Sequence, residues 1–285
     1  MRFATIVDDG DAFVAIVSGQ RVLPLVAAEV GHDSLRSIAA GGRAALDRVR
    51  AWAERQPARA YRALDDVPLG PVVPDPGAIY AIGRNYREPG EAQRPATAAP
   101  DRPLVYAKAP TSVAGSAATL TWDRGLTANV DAEVELGVVI GEPAWNASPD
   151  EAAGHVFGYT IVNDVSSRDP WLDGDQWLLG KSMPGFCPVG PWVVTTDELD
   201  PADLRLGCRI NGEPIQDGRT SQMRLSIARI IAFLSRHVVL RPGDLIATGT
   251  PARLADPPGP ERHLRAGDRV TCWIEGIGEL TTRID

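Results

Sequence analysis

The chain has 285 residues, of which 44% are hydrophobic and 23% charged, and this apolar fraction excludes wholesale disorder. Acidic residues outnumber basic ones by 37 to 29 and no cluster of lysine and arginine stands out, so the sequence does not indicate a nucleic-acid-binding protein. No apolar run approaches the roughly 18 residues that span a bilayer, and the residues after Met1 do not form the apolar core of a signal peptide.

The use of cysteine indicates a reducing compartment. Cys187, Cys208 and Cys272 are odd in number and widely spaced, and no two of them form a C-x-x-C pair. This pattern argues against a disulfide framework and against a zinc site built from thiolates. We therefore expect a cytoplasmic protein.

The first part of the chain is predicted to form strands followed by a helix. Apolar segments at residues 2–7, 12–17 and 21–26 are separated by turn signals, which predicts three strands. Residues 33–56 are predicted to form a helix, because the later half of this segment places apolar side chains on one side at helical spacing.

A run of prolines marks the predicted domain boundary. Four prolines lie between residues 68 and 76. Proline removes backbone donors and favours extended linkers. We therefore place a small N-terminal domain of strands and a helix at residues 1–75, and a larger domain at residues 76–285.

The larger domain is predicted to consist mostly of short strands joined by turns. Asn211-Gly212 stands between two apolar segments and is typical of a type I′ hairpin. Ser148-Pro149-Asp150-Glu151 carries the residues preferred at the start of a helix. A further helix is predicted by apolar residues spaced i, i+3, i+4 and i+7, at Ile227, Ile230, Ile231 and Leu234. Because strands and helices do not alternate regularly, the predicted fold class is a β-rich α+β arrangement.

An acidic strand is the chemically unusual segment of the sequence. Residues 131–140 have strand character, and side chains alternate between the two faces of a strand. Glu133 and Glu135 therefore share one face, whereas Val134 and Leu136 belong to the core face. Two carboxylates shielded from water repel each other, and a divalent cation such as Mg²⁺, Mn²⁺ or Ca²⁺ would relieve that repulsion.

A third carboxylate, Asp164, follows the strand-like residues 157–162 and could complete a metal-ligand set. The same residues allow a plainer interpretation. Glu133 and Glu135 would then face solvent on an edge strand, and Asp164 would form a turn. The residues by themselves leave both interpretations open.

Short motifs follow one another along the second part of the chain. They are Gly83-Arg84-Asn85-Tyr86, Tyr106-Ala107-Lys108-Ala109-Pro110, Glu133-Val134-Glu135-Leu136-Gly137, Gly158-Tyr159-Thr160, Asn163-Asp164-Val165, Gln176-Trp177, Gly180-Lys181-Ser182, Phe186-Cys187-Pro188, Pro242-Gly243-Asp244, Thr248-Gly249-Thr250-Pro251 and Ile274-Glu275-Gly276. In their order and spacing they resemble the fumarylacetoacetate hydrolase (FAH) family over about residues 78–285.

The resemblance implies a fold, a metal site and a range of reactions. The implied fold is a mixed β-roll catalytic domain behind a small N-terminal β-rich domain, in a homodimer. The implied cofactor is Mg²⁺ or Mn²⁺, held by Glu133, Glu135 and Asp164. Family members act on 2-oxo acids and 1,3-dicarbonyl acids by C–C hydrolysis, decarboxylation, isomerisation or tautomerisation, and the resemblance places the chain in the catabolism of aromatic compounds.

The resemblance also implies roles near the metal for three polar residues. Lys181 matches the family lysine that would hydrogen-bond the carbonyl or enolate oxygen of the substrate. Thr250 matches a threonine expected to hold a substrate carboxylate, and Gln176 resembles a substrate-facing glutamine. The plainer interpretations are a surface lysine, a turn threonine and a solvated glutamine.

The first motifs supply further candidates for substrate binding. Arg84 and Tyr86 are predicted to contact the substrate. Arg84 and Lys108 could steer or clamp an acidic substrate, although either could equally form a structural ion pair. Arg168-Asp169 is predicted to be an internal ion pair rather than a ligand site.

One loop departs from the family pattern. Many family hydrolases carry a histidine, oriented by a glutamate, that activates water, but Pro89 and Ala92 stand at those two positions in this chain. Proline cannot transfer protons. Glu88 or Glu91 could act as the base instead, and the plainer interpretation of both is a solvated loop acid.

The departure leaves the reaction type open. Hydrolysis of a C–C bond is favoured by its prevalence in the family, and decarboxylation or keto–enol isomerisation are alternatives because they depend less on activated water. An alternative of another class is a binding homologue without catalysis. The acidic cluster argues against that alternative, because buried charges are costly to keep without a use.

Overall fold

The structure is a computed structural model that describes residues 1–87, 102–254 and 263–285. The strands of the described residues are β1 (Arg2–Asp8), β2 (Asp11–Ser18), β3 (Arg21–Pro24), β4 (Arg62–Ala63), β5 (Ile79–Gly83), β6 (Leu104–Lys108), β7 (Val113–Ala114), β8 (Thr119–Leu120), β9 (Val130–Asp131), β10 (Val134–Ile140), β11 (Val156–Asn163), β12 (Ser166–Ser167), β13 (Cys187–Thr195), β14 (Arg205–Ile210), β15 (Glu213–Arg219), β16 (Leu245–Ala247), β17 (Arg269–Ile274) and β18 (Gly278–Ile284). The α-helices are α1 (Ala27–Val30), α2 (Leu35–Ala40), α3 (Gly42–Ala53), α4 (Pro170–Asp175), α5 (Trp177–Gly180) and α6 (Ile227–Ser235).

Most of the strands belong to two mixed sheets. The larger sheet has the order β4-β3-β2-β1-β13-β11-β10-β16-β5-β6, with β7 beside β13. The smaller sheet has the order β15-β14-β17-β18-β8. Neighbouring strands are mostly antiparallel, and β16–β5, β13–β7 and β18–β8 are parallel pairs. These sheets confirm the predicted β-rich α+β class.

The N-terminal strands continue the larger sheet. β1 pairs with β13 at Arg2↔Val194 and Phe3↔Val193, and the ring of Phe3 lies 5.9 Å from that of Phe157 in β11. Residues on both sides of the predicted boundary therefore share one sheet. The division into domains at residue 75 stays a prediction.

Two of the predicted helices differ from what the structure contains. The single helix predicted at residues 33–56 is divided into α2 and α3, because Gly42 adopts a left-handed φ of +55° that interrupts the helix. At residue 148, Glu151 makes the capping contact that such a sequence favours, since Ser148 N–H donates to Glu151 Oε2 at 2.9 Å. It is followed by a turn and a short 3₁₀-helix, Ala152–His155, in place of an α-helix.

The hairpin predicted at Asn211-Gly212 and the helix predicted from Ile227 onwards are both present in the structure. β14 and β15 are joined at Asn211 and Gly212, which have φ values of +54° and +87°, as a type I′ turn requires. α6 begins after Ser226, whose side chain accepts from the backbone N–H of Arg229. Of the predicted apolar face, Ile230, Ile231 and Leu234 are buried and Ile227 is partly buried.

Strand β10 is the central strand that positions the acidic residues. It lies between β11 and β16, and all seven of its residues are buried. Val134 and Leu136 pack into one core cluster, whereas Val139 packs into another on the opposite face. Because both faces of β10 are covered, the interpretation of an exposed edge strand is wrong for Glu135, which is 1% exposed.

The helices and cysteines of the described residues bear on two features considered from composition, membrane-spanning length and cysteine pairing. No helix in the described parts of the chain combines the length and apolarity needed to cross a membrane. All three cysteines are buried and free. Cys208 and Cys272 face each other across β14 and β17 with 3.8 Å between their sulfur atoms.

Candidate metal centre and active site

The fold brings Glu133, Glu135 and Asp164 together at one end of β10. Glu133 directly precedes β10, and Asp164 directly follows β11, its antiparallel neighbour. The register Val134↔Asn163 places these strand ends side by side, and Asp164 N–H donates to the Glu133 carbonyl at 2.8 Å. One carboxylate oxygen from each residue lies within 4.8 Å of the other two.

A glycine turn supports the buried carboxylate of Glu135. Gly249 N–H donates to Glu135 Oε2 at 2.8 Å. Gly249 has a φ of +100°, and a Cβ atom there would lie 2.8 Å from Asn85 Cβ and 3.0 Å from the Ile82 carbonyl oxygen. A side chain at this position would therefore clash with Asn85 and Ile82, and glycine allows the φ at which the N–H faces Glu135.

Replacing Gly249 with alanine is expected to destabilise the protein by about 2 kcal/mol or more, because both the backbone conformation and the space disfavour a side chain. Gly212 is a matched control, since its φ is +87° and a Cβ atom there would have no neighbour within 4 Å. Urea denaturation of both alanine variants measures the difference. If both variants lost the same free energy of unfolding, the crowding around Gly249 would not contribute to its loss of stability.

Two buried lysines compensate the carboxylates. Lys181, directly after α5, donates from Nζ to Glu133 Oε2 at 2.9 Å and to Asp164 Oδ2 at 2.6 Å. Lys108 in β6 pairs with Asp164 Oδ1 and donates to the Val165 carbonyl at 3.2 Å. Both ends of the Lys108–Asp164 pair are fully buried, so the structure places Lys108 in an internal ion pair.

The three carboxylates differ in their affinity for protons. Burial raises the pKa of Glu135, and the charges of Asp164 and Glu133 raise it further. Burial would also raise the pKa of Asp164, but Lys108 and Lys181 outweigh it and lower the pKa. Among the described residues, no lysine or arginine forms an ion pair with Glu135. Its uncompensated carboxylate is the group whose charge a bound cation would balance.

The lysine at the cluster is held in its charged form. Burial would lower the pKa of Lys181, but the carboxylates of Asp164 and Glu133 outweigh burial and raise the pKa above its ordinary value. For Glu133, burial is likewise outweighed by Lys181 and Arg168, which lower its pKa. Lys181 is therefore a cationic hydrogen-bond donor next to the three acids.

Tyr106 belongs to the site although the sequence assigned it no role. Its hydroxyl donates to Asp164 Oδ2 at 2.6 Å, and its ring centroid lies 5.0 Å from Lys181 Nζ. Burial and the nearby charge of Asp164 raise the pKa of Tyr106, so the phenol keeps its proton. Tyr106 and Lys108 are two residues apart in β6 and share a face, and this alternation was the available signal.

Arg168 contacts different acids from the one predicted. Its guanidinium pairs with Glu133, with Asp131 (Nε to Oδ2, 3.2 Å) and with Asp173 (Nη1 to Oδ1, 3.4 Å). The predicted pair of Arg168 with Asp169 is therefore wrong. Asp169 instead accepts from the side chains of Thr127 and Asn129. The short β9–β12 pairing turns Arg168 towards the acids beside β10.

Glu133 and Glu135 line a cavity of about 190 Å³. Its lining includes Glu133, Glu135, Lys181, Arg168, Tyr106, Arg84 and Thr250. Arg84 follows β5 with a φ of +55°, and its side chain is exposed. The Thr250 hydroxyl donates to the Val134 carbonyl at 2.8 Å and accepts from Gln216 Nε2 at 2.8 Å, so it also ties the cavity wall to β10.

The other predicted residues lie elsewhere. Gln176 is exposed between α4 and α5 and does not line this cavity. Tyr86 is buried in the core, and its hydroxyl lacks a hydrogen-bond partner among the described residues. Burial and the charge of Glu135 raise the pKa of Tyr86. The predicted bases Glu88 and Glu91 lie outside the described residues.

The donor set fits a hard divalent cation. Three carboxylate oxygens from separate residues converge, and hard oxygen ligands suit Mg²⁺ and Mn²⁺. Glu133 retains 16% exposure of its side chain at the cavity, whereas Asp164 and Glu135 are buried. The cluster is therefore reached from the cavity side and closed on the core side.

Comparison with known proteins agrees with this arrangement. The family described as Fumarylacetoacetate (FAA) hydrolase C-terminal matches residues 78–285. An uncharacterised protein of Staphylococcus aureus is 38% identical over 223 residues, which are 78% of this chain and 73% of that protein.

Solved structures match the whole chain. A fumarylacetoacetate hydrolase of Exiguobacterium antarcticum matches with a TM-score of 0.86 and 33% identity, over 100% of this chain and 99% of that one. A maleylpyruvate hydrolase of Sphingobium, in complex with manganese(II) and pyruvate, matches with a TM-score of 0.82 and 26% identity, and a 2-hydroxyhepta-2,4-diene-1,7-dioate isomerase of Mycobacterium marinum with 0.76 and 30%. Each of these two matches covers 100% of this chain and 98% of the other. The chain therefore belongs to the fumarylacetoacetate hydrolase family, and it has that family's fold.

Proposed function

We propose that this protein is a metal-dependent enzyme that acts on a small 2-oxo or 1,3-diketo acid, with hydrolysis of a C–C bond as its reaction. The observation that carries the proposal is the convergence of Glu133, Glu135 and Asp164 beside the charged Lys181, at a cavity of about 190 Å³. When bound to the three carboxylates, Mg²⁺ or Mn²⁺ would act as a Lewis acid on the substrate's carbonyl oxygen.

The residues around the cluster would bind the substrate and stabilise charge. The ammonium of Lys181 would donate a hydrogen bond to the oxygen that becomes negative during the reaction. Arg84 and Arg168 line the same cavity and would attract the carboxylate of the acid. The hydroxyl of Tyr106 would keep Asp164 oriented through their hydrogen bond.

The solved relatives support a reaction of this class and leave its type to experiment. One is a hydrolase bound to manganese(II) and pyruvate, and another is an isomerase of an unsaturated dioate. Pro89 replaces the water-activating histidine, so decarboxylation and keto–enol isomerisation stay as alternatives. In the hydrolytic reaction, Glu88 or Glu91 would take the proton from water, and glutamine variants of each test this role.

Metal removal tests the proposed function. We expect turnover of an acylpyruvate or of oxaloacetate with Mg²⁺ or Mn²⁺, loss of turnover in EDTA, and recovery when the ion is returned. Cleavage into two acids supports hydrolysis, release of CO₂ supports decarboxylation, and an absorbance change without fragments supports tautomerisation. Failure to turn over any 2-oxo acid with either ion would reject the proposal that the protein is an enzyme. Metal-dependent binding of pyruvate in that case would favour the binding homologue.

Two further proposals concern assembly, which rests on the resemblance, and location, which rests on the use of cysteine. We propose a homodimer, which light scattering would show as twice the chain mass of 30.5 kDa. We also propose a cytoplasmic location, which fractionation of the source cells would test.

A further inference from the structure

Asp131 is a buried carboxylate that the proposed chemistry does not use. It lies in β9, two residues before Glu133, and is 3% exposed. Its Oδ2 accepts from Arg168 Nε at 3.2 Å, and its Oδ1 lies 2.6 Å from Arg253 Nη1 and 3.2 Å from His263 Nδ1. Three side chains from distant parts of the chain thus converge on one acid beside the metal cluster.

Arg168 connects this acid to the metal cluster. Its Nε faces Asp131 while its Nη2 pairs with Glu133 Oε1, and Glu133 Oε2 accepts from Lys181 at 2.9 Å. Each oxygen of Glu133 therefore faces one cation. Because a guanidinium is a rigid plane, fixing its Nε edge also fixes where its Nη2 group lies. The direction of the Glu133 carboxylate depends on that position.

We propose that Asp131 is a positioning residue that holds Arg168 and, through Arg168, presents Glu133 to a divalent metal ion. Arg253 and His263 hold Asp131 in turn. The inference rests on the proposed function only in placing a metal at Glu133, Glu135 and Asp164. Partners of this kind, one step removed from the ligands, orient the ligands and tune metal affinity.

Replacing Asp131 with asparagine tests the inference, because asparagine keeps the shape and one acceptor but removes the charge. Arg168 would then be held by Glu133 and Asp173 and would pair more strongly with Glu133. We expect the Kd for Mn²⁺ to rise by about 10- to 100-fold, measured by calorimetry without substrate. His263→Gln is expected to change the Kd in the same direction by a smaller factor.

A double variant distinguishes a positioning role of Asp131 from a general loss of structure. If Asp131 acts through Arg168, then D131N combined with R168Q binds Mn²⁺ within about twofold of R168Q alone. Asp244→Asn is the matched control. Asp244 is 2% exposed and lies at the far end of β10, where its carbonyl accepts from Ile140 N–H. This control is expected to lower stability without changing the Kd.

The outcomes distinguish this inference from the proposed function. If D131N binds Mn²⁺ as tightly as the wild type, or if the effects of D131N and R168Q add, the inference is overturned while the metal site stands. If the wild type binds no Mn²⁺, the proposed function itself fails. Unfolding curves in EDTA verify that each variant is folded. Should D131N not fold, H263Q in the wild-type and R168Q backgrounds gives the same test.

Discussion

Replacing Glu135 with glutamine is expected to abolish metal-dependent turnover, with a fall in kcat/KM of at least about 10³-fold, or roughly 4 kcal/mol. Glutamine keeps the size of the side chain and can still accept from Gly249 N–H. It removes the carboxylate that has no lysine or arginine partner among the described residues. The Kd for Mn²⁺ is expected to rise in parallel, and calorimetry measures it directly.

The stability of this variant provides the control. Glu135 is buried beside two other carboxylates, and burial together with their charges raises its pKa. Removing its charge relieves repulsion, so E135Q in EDTA is expected to unfold at or above the wild-type temperature. Glu142→Gln, at an exposed acid just beyond β10, is expected to leave metal binding unchanged. Full activity of E135Q would remove Glu135 from the site.

Replacing Lys181 with methionine is expected to lower kcat by about 10²- to 10³-fold while leaving Mn²⁺ bound. The reason is that Lys181 supplies a charged donor, whereas the carboxylates supply the ligands. Its removal frees Glu133 and Asp164 from an ion pair, so the Kd for Mn²⁺ is expected to stay the same or fall.

The unfolding temperature of K181M, compared with its kcat, distinguishes a catalytic role of Lys181 from a structural one. Without metal, K181M leaves two acids with one cation fewer, and its unfolding temperature in EDTA is expected to drop. Adding Mn²⁺ is expected to recover much of that loss, because the ion stabilises the folded state that binds it. Lys181→Arg keeps the charge and is the conservative control. A kcat within about twofold of the wild type in K181M would exclude a role in stabilising the reacting oxygen.

The sequence predicted the acidic cluster but not its surroundings. Strand alternation places Glu133 and Glu135 on one face, Asp164 follows the next strand-like segment, and the resemblance added Lys181. β10 is not an edge strand, because β16 pairs with it from about 100 residues later in the chain. Local pattern cannot reveal such a partner, so an exposed edge strand was equally compatible with the residues.

One physical reason explains which site residues the sequence did not identify. Tyr106 donates to Asp164, and Asp131 reaches the cluster through Arg168. Both contacts arise from tertiary packing. The contact of Arg168 with Glu133 depends on the short β9–β12 pairing, so adjacency in sequence to Asp169 was misleading. The division of the predicted helix at Gly42 depends on a left-handed φ that apolar spacing does not reveal.

The pairing of β1 with β13 has a consequence for any shortened form of the protein. The region that matches the family begins at residue 78, but part of β13 has its neighbour in residues 2–3. A recombinant fragment starting at residue 78 would present free N–H and C=O groups along that stretch. Unpaired strand edges of this kind recruit other chains, so such a fragment would be prone to aggregate even though it contains Glu133, Glu135 and Asp164.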